Sequence, residues 1–143
     1  MINAMAYSIA ILTTTINADT IERMLDVATR EVETSGSQLH SVTKTLGCLD
    51  MPIIAQSVLS REDVDALVVL GAVAKGDTLH DELVVNVMTQ AVTQLGLEHR
   101  KPVGFGVIGP GATSEQFADR TDEYARRAVE SVVHNLQLLR QAE

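Results

Sequence analysis

The sequence predicts a three-layer α/β domain built on a four-stranded parallel sheet. Strand-like and helical patterns alternate four times along 143 residues, and the joints between them are short. One run, Ala66 to Ala74, is apolar on both faces. A strand with no polar face has no side to turn to water, so it belongs mid-sheet beneath helices on both faces. Strands joined through helices pair in parallel with right-handed crossovers.

Each element has its own signal. Ser8 to Thr15 is rich in β-formers and reads as the first strand. Asn17-Ala18-Asp19 offers helix caps, and Ile21, Met24, Leu25, Ala28 and Val32 recur at helical spacing until Gly36 stops the helix. Gln38 to Leu46 is a weaker second strand. Asp50 before Met51-Pro52 reads as an N-cap with proline in the first turn, opening a short helix that ends near Ser60. The third helix follows Ala66–Ala74, starts at Leu79, carries Leu83, Val84, Val87, Met88, Ala91, Val92 and Leu95, and is expected to end at Gly96. Pro102 to Ile108 is the fourth strand. Thr113 and Gln116 have capping-box spacing, and the last helix buries Phe117, Thr121, Tyr124, Ala128, Val129, Val132 and Leu136. No repeat, linker or low-complexity tract divides the chain, so residues 1–143 are read as one domain.

A formal charge of -8 and a pI near 4.9 argue against a nucleic-acid partner, which would need a basic face. No apolar run is long enough to span a membrane, and Met1 to Ala6 lacks the basic start and apolar centre of a secretion signal. The single cysteine, Cys48, has no internal partner for a disulfide, and a reducing cytoplasm is the expected compartment. Aromatic residues are scarce: Tyr7, Phe105, Phe117 and Tyr124, with no tryptophan.

In a parallel sheet the ligand site lies beyond the carboxyl ends of the strands, where strand order reverses. The loops concerned run from Thr14 to Asn17, Leu46 to Asp50, Val73 to His80 and Ile108 to Thr113. The third of these is chemically the loudest. It places His80 in the first turn of a helix, where backbone N–H groups without intrahelical partners attract anions such as phosphate. Gly76-Asp77-Thr78 beside it would cradle a phosphate, or Thr78 is a plain N-cap with Asp81 completing the box. The Asp77 carboxylate opposes a bare phosphate unless a cation offsets it, and Arg120, Arg126 and Arg127 are the candidates. Asp50 either caps its helix or grips sugar-like hydroxyls. His40, His99 and His134 are scattered without ligand spacing, so a zinc site is not expected. No Walker loop, nucleophile elbow or dinucleotide fingerprint is present.

Gly71 to Asp81, the strand Pro102-Val103-Gly104-Phe105-Gly106-Val107 and the helix start Glu115-Gln116-Phe117-Ala118-Asp119-Arg120 together resemble the 6,7-dimethyl-8-ribityllumazine synthase family. The loop Gly47-Cys48-Leu49-Asp50-Met51-Pro52 fits the same pattern. Thr78-Leu79-His80-Asp81-Glu82 and Gly109-Pro110-Gly111 look most like its archaeal-type branch. The resemblance covers nearly the whole chain.

It implies a flavodoxin-like αβα subunit, a homopentamer that can stack into decamers or sixty-subunit icosahedral shells, and a transferase of riboflavin biosynthesis. The implied reaction condenses 5-amino-6-(D-ribitylamino)uracil with 3,4-dihydroxy-2-butanone 4-phosphate, without metal or cofactor. By position the resemblance gives His80 the proton-transfer role, Asp77 and Thr78 the phosphate turn, and Arg120 the phosphate of a neighbouring subunit's site. Ala72, Val73 and Ala74 would read the pyrimidine, while Cys48, Leu49 and Asp50 would contact the ribityl chain. Phe105 would reach across the subunit boundary. Two positions depart from the family: Ile16, before Asn17, and Leu49 stand where it carries aromatics that stack on the heterocycle. The alternative these departures raise is a non-catalytic shell or a flavin- or ribityl-binding protein.

Overall fold

The computed structural model describes residues 6–143; Met1 to Met5, on which the secretion-signal expectation largely falls, lie outside the described residues. The chain runs β1 (Ser8–Thr14), α1 (Ala18–Thr34), β2 (Gln38–Thr45), a 3₁₀ turn (Cys48–Asp50), α2 (Met51–Leu59), β3 (Ala66–Ala74), α3 (His80–His99), β4 (Val103–Ala112) and α4 (Ser114–Gln141). All pairings are parallel, in the order β2-β1-β3-β4, so the expected four-stranded sheet is present. Helices α1 and α4 cover one face, α2 and α3 the other. Successive residues of the two central strands therefore serve different cores. Ile9, Ile11, Val68 and Leu70 pack with Met24, Val129 and Val132 on the first face. Ala10, Leu12, Leu67 and Val69 pack with Met51, Leu59, Met88 and Val92 on the second.

Two boundaries differ from the sequence expectation. Helix α3 passes through Gly96 and ends at His99, with Arg100 in the left-handed region (φ 55°) as its cap. Gly96 is a packing glycine: a Cβ there would lie 2.8 Å from Val103 Cγ2 and 3.0 Å from the Lys101 carbonyl oxygen. Strand β4 continues past Ile108 to Ala112, because its ladder with β3 skips a register after Ala72 and resumes at Ala74 opposite Ala112. The Lys75 N–H closes that end by donating to the Ala112 carbonyl at 2.7 Å. The stop at Gly36 holds. Gly36 takes φ +80°, and the Gly36 and Ser37 N–H groups donate to the Glu33 and Val32 carbonyls to close α1.

The position of α4 is set by β4 glycines. A Cβ on Gly104 would stand 2.2 Å from the Ala128 carbonyl oxygen, and one on Gly106 2.8 Å from that of Tyr124. These are backbone atoms, which no rotamer change can move aside. Gly104→Ala should therefore lower unfolding stability by about 3 kcal/mol, the upper range for overpacking a core. An unchanged urea midpoint would show that α4 has slack over β4.

Candidate active site

With the order β2-β1-β3-β4, strand order reverses between β1 and β3. Asn17 spans that crevice. Its backbone is left-handed (φ 59°, ψ 57°), a conformation asparagine tolerates, and its Nδ2 donates to the Ala72 carbonyl at 2.7 Å. Asn17 occupies the N-cap position of α1, but its side chain ties the ends of the two central strands together and makes no capping bond. Ile16 precedes it with 46% of its surface exposed. Ala72 is buried, and Val73 and Ala74 are half-buried as β3 emerges from the sheet.

The loop after β2 folds inward. Thr45 Oγ1 donates to the Gly47 carbonyl at 2.8 Å, and the Asp50 N–H donates to the same carbonyl at 3.2 Å. The resulting turn, Cys48–Asp50, packs against α3. Asp50 stands at the N-cap of α2, followed by the expected proline, yet its carboxylate makes no capping bond and is exposed. Leu49 is 53% exposed. Cys48 is buried beneath it, and burial pushes its thiol up from the ordinary value.

After β3, Thr78 Oγ1 accepts from the His80 N–H at 3.2 Å, but the capping box with Asp81 does not form. Asp81 turns instead to the loop after β4, where its Oδ2 accepts from the Gly111 N–H at 3.0 Å. Between these segments lies a cavity of about 220 Å³, lined by Lys75, Asp77, Thr78, Asp81, Glu82 and Gly111 among others. His80 flanks it from the first turn of α3, exposed, without lining it. Three acidic side chains face one lysine here, so a phosphate entering this cavity would need a further cation.

The three candidate arginines separate clearly. Arg126 pairs with Glu130 at 2.9 Å and Arg127 with Glu123 at 3.6 Å, both within α4. Arg120 has no carboxylate partner among the described residues; its Nη1 donates to the Gln116 carbonyl at 3.3 Å. It lies one turn beyond the expected capping box. That box is present: Gln116 Oε1 accepts from the Thr113 N–H at 2.9 Å, and Thr113 Oγ1 from the Gln116 N–H at 3.4 Å. Phe105, 40% exposed, lines a groove of about 560 Å³ with Tyr124, Arg127 and Glu130 along the open edge of β4. Within one protomer neither Phe105 nor Arg120 lines the cavity beside His80.

A further groove of about 520 Å³, with Leu97, Arg100, Leu138 and Leu139, lies at the other end of the sheet and shares no residue with these loops. Among the described residues no group of three or more His, Cys, Asp or Glu side chains is arranged to hold a metal ion. Lys75, Asp81 and Glu82 line the cavity without being marked by the sequence pattern, which reads Asp81 as a cap. The signal for Asp81 was indirect: a Gly-Pro-Gly turn that leaves a backbone donor to be satisfied.

The family model described as 6,7-dimethyl-8-ribityllumazine synthase matches residues 6–140. The chain belongs to that family. It is 42% identical over 125 residues to the 6,7-dimethyl-8-ribityllumazine synthase of Metallosphaera sedula, covering 87% of this chain and 83% of the relative. It is 38% identical over 133 residues to that of Sulfolobus acidocaldarius, covering 93% and 84%. The counterpart in Pyrobaculum arsenaticum is 38% identical over 125 residues, covering 87% and 83%. The lumazine synthase family match thus includes every loop at the C-terminal edge of the sheet, together with Phe105 and Arg120.

In this lumazine synthase family member Cys48 is a packing residue with a suppressed thiolate. Alkylation by iodoacetamide at neutral pH should be slow in the folded protein and fast in urea. Rapid labelling of folded protein would contradict the burial of its thiol.

Proposed function

We infer that this chain catalyses the lumazine-forming condensation of 5-amino-6-(D-ribitylamino)uracil with 3,4-dihydroxy-2-butanone 4-phosphate. The observation that carries the reading is the family match, which spans residues 6–140 and so includes all of the strand-end loops. The chemistry needs an amine and a ketone brought together, protons moved during imine formation, phosphate expelled and a ring closed. Binding both partners in one orientation supplies a large part of the rate.

The cleft roles follow from position. The strand end Ala72–Ala74, fixed to β1 by the Asn17 bridge, offers backbone groups to the flat pyrimidine. The Cys48–Asp50 turn, with its exposed Asp50 carboxylate, faces the ribityl hydroxyls. Asp77 and Thr78 hold the phosphate end, and His80 moves protons between the reacting groups. Arg120 of a neighbouring copy supplies the cation that the acid-lined cavity lacks, and Phe105 closes the site from across the same boundary. Two features support an assembly: Arg120 without an acidic partner among the described residues, and the apolar Leu79, Leu83 and Val87 exposed along one ridge of α3. A pentamer or a multiple of it, up to an icosahedral shell, is the proposed form. The cytoplasm is the proposed compartment, supported by the buried unpaired thiol of Cys48. Among the described residues no helix is long and apolar enough to cross a membrane.

A second reading, a shell or ligand-binding protein without turnover, is favoured by the exposed aliphatic side chains Ile16 and Leu49 in place of stacking aromatics. Each lost stacking pair forgoes about 0.5–1.5 kcal/mol. Mixing the purified protein with both substrates decides between them. Lumazine formation above the spontaneous rate supports the enzyme; tight ribityl-pyrimidine binding without turnover supports the binding protein.

Two variants test the roles. His80→Ala should cut turnover by about 10²–10⁴-fold with little change in stability. Arg120→Ala should raise KM for the butanone phosphate and leave that for the pyrimidine unchanged, since an ionic partner of phosphate alone is lost. Equal kinetics for wild type and both variants would contradict these assignments.

A further inference from the structure

Asp81 is buried, at 8% exposure, in the first turn of α3 directly after His80. Among the described residues it takes part in no ion pair. Its recorded bond is to the Gly111 N–H, and it lines the same cavity as that glycine. Burying a carboxyl group costs free energy unless its hydrogen bonds are made, so a side chain held this way marks a geometry worth fixing.

The geometry in question is that of the turn after β4. Gly109 and Gly111 both take positive φ, +105° and +85°, which other residues rarely adopt. A Cβ on Gly109 would lie 2.3 Å from the Val73 carbonyl oxygen, so the turn rests directly on the end of β3. On its far side the Asp81–Gly111 bond joins it to the start of α3. Three backbone segments, the end of β3, the first turn of α3 and the turn after β4, are thus held against one another. The cavity opens between the last two.

We propose that Asp81 is a positioning residue for the phosphate-bearing substrate: through the Gly111 N–H it holds the Gly109–Gly111 turn at the distance from the α3 N-terminus that a phosphate requires. It acts by hydrogen bond, not by charge. The negative charge of a carboxylate would oppose a phosphate in the same cavity, whereas the acceptor oxygen is what fixes the turn. Asparagine keeps an acceptor of the same reach, and alanine removes it. The proposal rests on the lumazine-forming reading for its substrate, while the tethering of the turn can be read without any turnover.

The test compares Asp81→Ala and Asp81→Asn in the full-length protein. Amide hydrogen exchange at Gly111 should accelerate in Asp81→Ala and stay near wild type in Asp81→Asn. KM for the butanone phosphate should rise about tenfold in the alanine variant, with KM for the pyrimidine changed less than about twofold, and the asparagine variant should restore both. Unchanged exchange in Asp81→Ala would overturn the tether. Faster exchange with both KM values moving together, or an asparagine variant as impaired as alanine, would overturn the positioning role. If wild type forms no lumazine, that failure belongs to the proposed reaction. Inorganic phosphate then replaces the substrate, and calorimetry should show weakened binding in Asp81→Ala alone; equal binding by all three proteins overturns the proposal.

Discussion

Strands β1 and β3 lie side by side in the middle of the sheet, and from Ile9 to Leu12 and from Ala66 to Ala72 their residues are essentially sealed from water. A parallel sheet covered on both faces leaves its polar backbone free only where the strands end. That constraint decides where ligand chemistry can sit. The crevice between the ends of β1 and β3 is also where the order of strands reverses, and the side chain of Asn17 crosses it to the Ala72 carbonyl. Its left-handed backbone allows the short amide to reach over and tie the two strand ends together.

Electrostatics support the proposal that the site is shared between copies. Asp77, Asp81 and Glu82 line the cavity at the start of α3 against Lys75 alone. The helix N-terminus attracts an anion, but the carboxylates oppose it, and two like charges a few ångströms apart interact by several times RT at protein-surface dielectric. In the proposed assembly a guanidinium from a neighbouring copy would resolve the conflict. Of the three arginines near the start and middle of α4, Arg120, Arg126 and Arg127, Arg120 has no acidic partner among the described residues, and its helix start is fixed by the Thr113–Gln116 box. The glycines of β4 determine how deeply that helix sinks, so the packing of Gly104 and Gly106 reaches through to the placement of Arg120.

Much of this was legible in the sequence, for identifiable reasons. The apolar run Ala66–Ala74, the Gly36 stop and the Thr113–Gln116 box are local signals with local causes, and each sits where its pattern placed it. Misreadings arose where a residue answers to a distant partner. Gly96 looks like a helix stop but serves contact with Val103, and Asp81 looks like a cap but serves Gly111. Asn17 and Asp50 occupy N-cap positions without using their side chains as caps. The continuation of β4 to Ala112 depends on a register skip against β3 that no pattern within β4 records. The loops holding His80 and Cys48–Asp50 follow from topology, and Ala72–Ala74 from the family resemblance; all lie at the carboxyl edge of the sheet. That Phe105 and Arg120 do not line the cavity within one protomer agrees with the resemblance, which assigns both across a subunit boundary; no local pattern in the sequence records it.

The central claim is that one copy supplies His80 and another supplies Arg120 to each site. Co-expressing His80→Ala and Arg120→Ala chains with different tags, and purifying assemblies that carry both, tests it directly. Sites shared across an interface predict that about a quarter of the sites in an equal mixture combine an intact histidine with an intact arginine, so activity should return well above that of either parent assembly. Mixed assemblies no more active than the sum of the two parents would contradict the shared site and place both residues in the same subunit's chemistry.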